Sequence, residues 1–299
     1  MFAPIRPRRS VLYMPGSNSR ALEKARSLPC DGIIIDLEDA VAPEAKASAR
    51  DQVAGVLAQG GFGRREVVVR VNGTGTPWFD ADLAAIAQIA AVGAGVHAVL
   101  IPKVVDPETL RVVGRQLEAL GAPSSLRLWA MIETPLAVLR ALDIALAARD
   151  PVARLAVLVL GTNDLAKESG AQILPGRAPM ASWLSHCVLA ARAGGIEVLD
   201  GVWNDFRDLD GFGRECAAAA QMGFDGKTLI HPSQIAPCNE AFSPPEAEIA
   251  AARALIAVFD RPENAAKGVL QIDGRMYERM HADIARKRVA LADAIAARG

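Results

Sequence analysis

The sequence predicts a (β/α)8 TIM barrel carrying a C-terminal helical extension, and three observations point to it. Short apolar runs alternate with helical patterns eight times before the alternation stops near residue 243. Runs such as Ile33-Ile-Ile35 and Val67-Val-Val69 are continuously apolar, as in parallel strands covered on both faces. Polar residues then collect where these runs end, which in a barrel is the active rim. A doubly wound open sheet would instead need a GxGxxG turn after the first strand, and Pro15-Gly-Ser-Asn18 does not supply one.

In chain order, Ser10–Met14 reads as the first strand. Ser17 or Asn18 can cap a helix running to about Leu28. Asp31–Leu37 is the second strand, with a helix over Glu44–Gln59. Glu66–Val71 is the third, with a helix over Pro77–Val92. Val96–Ile101 is the fourth, followed by a helix over Asp106–Leu120. Leu126–Ile132 is the fifth, leading into Glu133 and a helix over Pro135–Ala148. Leu155–Leu160 is the sixth. Gly170–Arg177 reads as a Gly-rich loop before a helix over Ala178–Ala193. Ile196–Leu199 and Gly226–Ile230 are the last two barrel strands, followed by helices over Asp208–Met222 and from Ser233. This assigns residues 1–243 to the barrel and 244–299 to the extension. The extension reads as a helix over Pro244–Phe259, a strand and turn over Val269–Met276, and a final helix from Tyr277 to Ala297.

Composition narrows the function classes. With 33 basic and 34 acidic residues among 299, the chain has no global pull toward nucleic acid or an anionic membrane. No run approaches the roughly 18 apolar residues of a membrane helix. The basic start, Met1–Arg9, has no apolar stretch behind it, so no secretory signal is expected. The four cysteines form no CxxC and read as free thiols of a cytoplasmic protein.

The predicted strand ends carry Asp36, Glu38, Asp39, Arg70, Asn72, Lys103, Glu133, Asp164 and His231, while the opposite ends carry no such set. Clustered carboxylates repel unless a cation or protons intervene. Too few Cys or His converge for zinc. Oxygen donors suit Mg²⁺, which takes one or two carboxylates plus water and substrate oxygens, and Glu133 with Asp164 is the expected pair. Of Asp36, Glu38 and Asp39, one or two are expected to pair with Arg70 or Lys103. Arg70 is read as an ion-pair partner or as a guanidinium that captures a carboxylate. His231, before Pro232, is expected to cap rather than to act as a base, and the tryptophans to pack.

These motifs carry a resemblance that spans nearly the whole chain. Arg9-Ser-Val-Leu-Tyr-Met-Pro-Gly16, Asp36-Leu-Glu-Asp-Ala-Val41 with Lys46 and Arg50 behind it, Arg70-Val-Asn72, Pro102-Lys103, Ile132-Glu-Thr134, Gly161-Thr-Asn-Asp-Leu165 and Gly226-Lys-Thr-Leu-Ile-His-Pro232 occur in that order. The chain resembles the citrate lyase β-subunit-like CoA-ester lyases of the HpcH/HpaI aldolase family. The resemblance implies Mg²⁺ (or Mn²⁺) on Glu133 and Asp164, with Arg70 catalytic beside it. Tyr13, Lys24, His231 and Pro232 would contact the CoA ester. The implied reaction is reversible Claisen-type cleavage of a 3-hydroxyacyl-CoA to a 2-oxo acid and an acyl-CoA. Glu38 is a candidate for proton transfer. Asp273, in Asp273-Gly-Arg-Met276, matches an Asp that malyl-CoA lyase-like relatives supply to a neighbouring subunit, which requires at least a dimer, and the resemblance implies a homotrimer or homohexamer; Arg275 stands where those relatives have Lys. A thioesterase on the same scaffold and a carrier-protein-dependent citrate lyase β subunit are the alternatives.

Overall fold

Eight apolar runs become eight parallel strands that close on themselves. The computed structural model describes residues 5–298, so the first four residues of the basic N-terminal segment lie outside the described residues. In chain order the barrel unit contains β1 (Ser10–Pro15), α1 (Ser19–Ala25), β2 (Gly32–Asp36), α2 (Lys46–Gln59), β3 (Glu66–Arg70), α3 (Phe79–Ala91), β4 (Ala98–Ile101) and α4 (Pro107–Ala119). It continues with β5 (Arg127–Ile132), α5 (Pro135–Leu139), α6 (Ala141–Leu146), β6 (Leu155–Leu160), α7 (Thr162–Ser169), α8 (Ala181–Gly194), β7 (Glu197–Asp200), α9 (Leu209–Met222), β8 (Gly226–Leu229) and α10 (Ile235–Ala241). β1 pairs with β8 through Val11 opposite Thr228, which closes the ring. The architecture is a (β/α)8 barrel.

Two apolar layers follow from the two-residue period of a strand. Val11, Ile34, Val68, Leu100, Trp129, Val157 and Leu199 point inward and fill the barrel. Their neighbours, such as Leu12, Ile33, Val67, Leu128 and Leu158, point outward and meet the helices. The interior is thus packed with side chains and is not a pore.

The opposite strand ends differ from expectation, because they carry a charged cluster of their own. Arg8 holds Glu66 at 2.5 Å and Glu197 at 2.7 Å, and its guanidinium lies 5.5 Å from the Trp129 ring centre. Glu66 and Glu197 share the inward parity of Val68 and Leu199, so their charges need a cation, and Arg8 arrives from the segment before β1.

Three helical readings also change. The helix expected over Pro135–Ala148 breaks at Arg140, whose φ of −104° and ψ of 13° separate α5 from α6. The residues after β6, assigned to no helix from the sequence, form α7, ended by left-handed Gly170 where the expected loop begins. Tyr277 and Glu278 belong to a strand, so the last helix starts later than expected.

The segment from Ser243 onward belongs to a second unit. It contains α11 (Glu246–Phe259), β9 (Val269–Ile272), β10 (Arg275–Glu278) and α12 (Arg279–Ala296), with α11 packed on α12. β9 and β10 form a hairpin whose two-residue turn, Asp273-Gly274, has φ of +48° and +77°. An Asp-Gly pair suits two left-handed positions in succession. Among the described residues no helix is long and apolar enough to cross a membrane.

Candidate active site

The inward register that fills the barrel also delivers its chemistry. One step beyond Ile34, Val68 and Met131 on the inner face lie Asp36, Arg70 and Glu133; one step beyond Val11 and Val159 lie Tyr13 and Gly161. All five line one cavity of about 380 Å³, together with Asp164 and Asp39.

Arg70 is the hub. Its Nε and Nη2 donate to the two oxygens of Asp36 at 2.7 and 2.6 Å, a bidentate pair. Nη1 lies 2.9 Å from Glu38 and 3.1 Å from Asp39. Asp36 is also saturated from its own loop, accepting from the amides of Glu38 at 2.9 Å and Ala40 at 3.0 Å. That loop is held from below by Lys46, whose buried ammonium donates to the carbonyls of Leu37 and Glu38 at 2.8 and 2.6 Å. Arg50 acts one strand over. It donates to Asp82 at 2.7 Å, and Asp82 in turn accepts from the side chain of Asn72 at 2.6 Å. Glu38 is bridged to Lys103 at 3.4 Å, and burial raises its pKa above the ordinary value. The expected pairing of the Asp36–Asp39 acids with Arg70 and Lys103 is therefore present.

Glu133 is different. It is 1% exposed; its Oε1 accepts from the Lys103 amide at 2.7 Å, but its Oε2 is buried without a hydrogen-bond partner. Burial pushes its carboxyl up to about 7, and the charges of Glu38 and Asp164 add to the rise. A buried oxygen acceptor left unmatched costs about 1–3 kcal/mol. Gly161 leaves the room around it: a Cβ there would fall 2.4 Å from Glu133 Cβ and 2.7 Å from Oε2. Asp164 is the third residue of α7, with the helix N-terminus behind it. These residues fit a hard divalent cation. Among the described residues no three or more His, Cys, Asp or Glu converge as a metal cluster, so two carboxylates would leave the remaining positions to water and substrate oxygens.

The remaining predicted residues spread out. Tyr13 lines the cavity with its ring 5.1 Å from the Arg70 guanidinium. Lys24 is exposed in the last turn of α1 and does not line the cavity. His231 caps the short turn begun by Pro232: its Nδ1 lies 2.7 Å from Ser233 Oγ, and its ring stacks on Phe206 at 4.7 Å. Trp129 is fully buried in the interior cluster. Asp273 sits exposed at the hairpin turn of the second unit.

Sequence reasoning missed two groups. Thr162 and Asn163 line the cavity from the unforeseen α7, and Asn163 exchanges amide hydrogen bonds with Asn204 at 3.1 and 2.8 Å. Behind the rim lies a closed ring of four buried charges. Asp200 meets Arg177 at 2.6 Å and Lys227 at 2.7 Å, while Glu215 meets Lys227 at 2.7 Å and Arg177 at 3.2 Å. An acid at the end of the seventh strand was a usable signal for Asp200, but its outward parity sends it between the sheet and the helices.

Residues 9–232 match the model of the HpcH/HpaI aldolase/citrate lyase family. The chain belongs to this family. It is 46% identical to a (3S)-malyl-CoA thioesterase of Cereibacter sphaeroides over 98% of this chain and 97% of the relative. It is 34% identical to the citrate lyase subunit beta of Leuconostoc mesenteroides subsp. cremoris over 92% of this chain and 89% of that subunit. Among solved structures it is similar to the protein CitE of Mycobacterium tuberculosis in complex with magnesium, acetoacetate and coenzyme A. That match has a TM-score of 0.72 at 27% identity and covers 95% of this chain and 97% of the other.

Proposed function

We propose that the protein is a Mg²⁺-dependent enzyme acting on malyl-type 3-hydroxyacyl-CoA thioesters. The observation that carries this is the unpartnered Glu133 Oε2 in a cavity shared with Asp164 and Arg70. The substrate class is supported by the malyl-CoA thioesterase relative and by the magnesium and coenzyme A of the similar solved structure. Glu133 and Asp164 would hold Mg²⁺, which when bound supplies positive charge for substrate oxygens. Arg70, fixed along its Nε–Nη2 edge by Asp36, meets developing negative charge without having to reorient. Glu38, between Arg70 and Lys103, is the barrel's candidate for moving a proton. Asp273 is the candidate supplied by a second copy of the chain in a homotrimer or homohexamer.

Thioester hydrolysis is the outcome favoured by the 46% identical relative. Cleavage of the C–C bond to a 2-oxo acid and an acyl-CoA is the second reading, favoured by the family's aldolase and citrate lyase description. The test is a panel of malyl-, methylmalyl-, citramalyl- and citryl-CoA with Mg²⁺, following free thiol and 2-oxo acid together. Free thiol without oxo acid identifies hydrolysis, and oxo acid without free thiol identifies cleavage. Turnover of none of them, or turnover undiminished by chelation, would refute the proposal.

A further inference from the structure

Two hydrogen-bond donors in the barrel mouth converge on an atom that accepts poorly. Tyr13 Oη donates to Met131 Sδ at 3.9 Å, and Arg70 Nη1 donates to the same sulfur at 3.8 Å. A thioether is a weak acceptor, so the Tyr13 hydroxyl is poorly matched, whereas Arg70 Nη1 is also held by Glu38 at 2.9 Å. Both side chains line the cavity that also holds Glu133.

The convergence is built into the fold. Tyr13 is the inward residue of β1, in register with Ile34, and the next inward residue of β2 is Asp36, which fixes Arg70. The phenol ring lies 5.1 Å from the guanidinium, and Nη1 also donates to Asp39 at 3.1 Å. Burial raises the phenol's pKa, so the hydroxyl keeps its proton at neutral pH.

We propose that Tyr13 is a catalytic residue whose hydroxyl, together with Arg70 Nη1, receives the thioester carbonyl oxygen of the substrate in place of the Met131 sulfur. This rests on the reading of the protein as a CoA-thioester enzyme, and it holds for either outcome. In hydrolysis a water oxygen bonds to the thioester carbon and loses a proton to a base, while the C=O π pair moves onto oxygen. Collapse re-forms C=O and expels the CoA thiolate, which takes up a proton. In C–C cleavage the 3-hydroxyl loses its proton, the C2–C3 pair moves into the thioester as an enolate, and C2 then takes up a proton. Negative charge builds on the same oxygen in both, and two fixed donors aimed at it form an oxyanion hole. The resemblance places Tyr13 among the residues that contact the CoA ester; its position on the cavity floor assigns it to the thioester end.

The test is Tyr13→Phe, which keeps the ring and removes a hydroxyl whose acceptor is only a thioether. The expected result is a fall in kcat of about 10²-fold with KM nearly unchanged, because the interaction matures in the transition state. Thermal stability should match the unaltered protein. A second readout needs no turnover: isotope-edited infrared spectroscopy of [1-¹³C]acetyl-CoA bound to the Mg²⁺-loaded protein. The carbonyl stretch should lie below its value in water and move back up in Tyr13→Phe. Equal stretches in both proteins, failure of acetyl-CoA to bind, or unaltered kcat would overturn the assignment. A Tyr13-dependent stretch in a protein that turns over no hydroxyacyl-CoA would refute the proposed reaction and leave the donor pair standing.

Discussion

Two clusters of charge lie close to the rim of this barrel, and they are built on opposite principles. The ring of Arg177, Asp200, Glu215 and Lys227 alternates in sign, sums to zero, and gives every member two partners of opposite charge. The mouth sets Asp36, Glu38, Asp39, Glu133 and Asp164 against Arg70 and Lys103, and leaves Glu133 Oε2 unmatched. Burial is expensive for both, but only the ring offsets it from within. A self-balanced cluster has nothing to offer a ligand. An unbalanced one is stabilised by whatever cation it can hold, and that difference separates scaffold from site more sharply than burial or charge count does.

The largest expected effect comes from the unbalanced side. Glu133→Ala or Asp164→Ala should lower Mg²⁺-dependent turnover by about 10³-fold, equivalent to several kcal/mol of transition-state stabilisation. Both should also abolish any Mg²⁺-induced rise in Tm, and normal turnover in both would erase the distinction drawn here. Next comes the balanced side. Lys227→Met removes one member and leaves two buried carboxylates sharing the single Arg177 cation, so unfolding in urea should show a loss of about 3–5 kcal/mol. A neutral result would mean that water reaches the ring.

The smallest effect concerns pH. The Lys227 and Arg177 charges outweigh burial and hold the Asp200 carboxyl below the ordinary 3.8. Its stabilising contribution is therefore full above the unfolded value and is lost as pH falls through the lower folded value. Asp200→Asn should flatten the acid limb of the stability profile below about pH 4, by no more than about 1.4 kcal/mol per pH unit. An unchanged slope would show that Asp200 titrates alike in the folded and unfolded chain.

The strands were legible because burial on both faces demands uninterrupted runs such as Ile33-Ile-Ile35, and their ends could be searched for acids directly. Glu133, Asp164 and Arg70 were found that way, and they do line one cavity. The charge ring was not legible, because its members come from four separate segments and only β7 and β8 adjoin within the sheet. Arg8, Glu66 and Glu197 escaped for the same reason, each looking like a solvated residue at a strand edge. Helix α7 escaped because an eight-residue helix offers little periodicity. The break at Arg140 has no Pro or Gly to announce it.

The plug at the far end of the barrel has a kinetic consequence. With Arg8 beneath Trp129 and the interior filled above it, the cavity is closed toward the far end of the barrel. The acyl portion of the proposed thioester would enter from the rim followed by its own CoA tail, so the tail would block the exit of anything formed deeper inside. On the proposed reaction, products would then leave in order, CoA-bearing fragment first, and the small acid left behind should inhibit competitively against the next thioester.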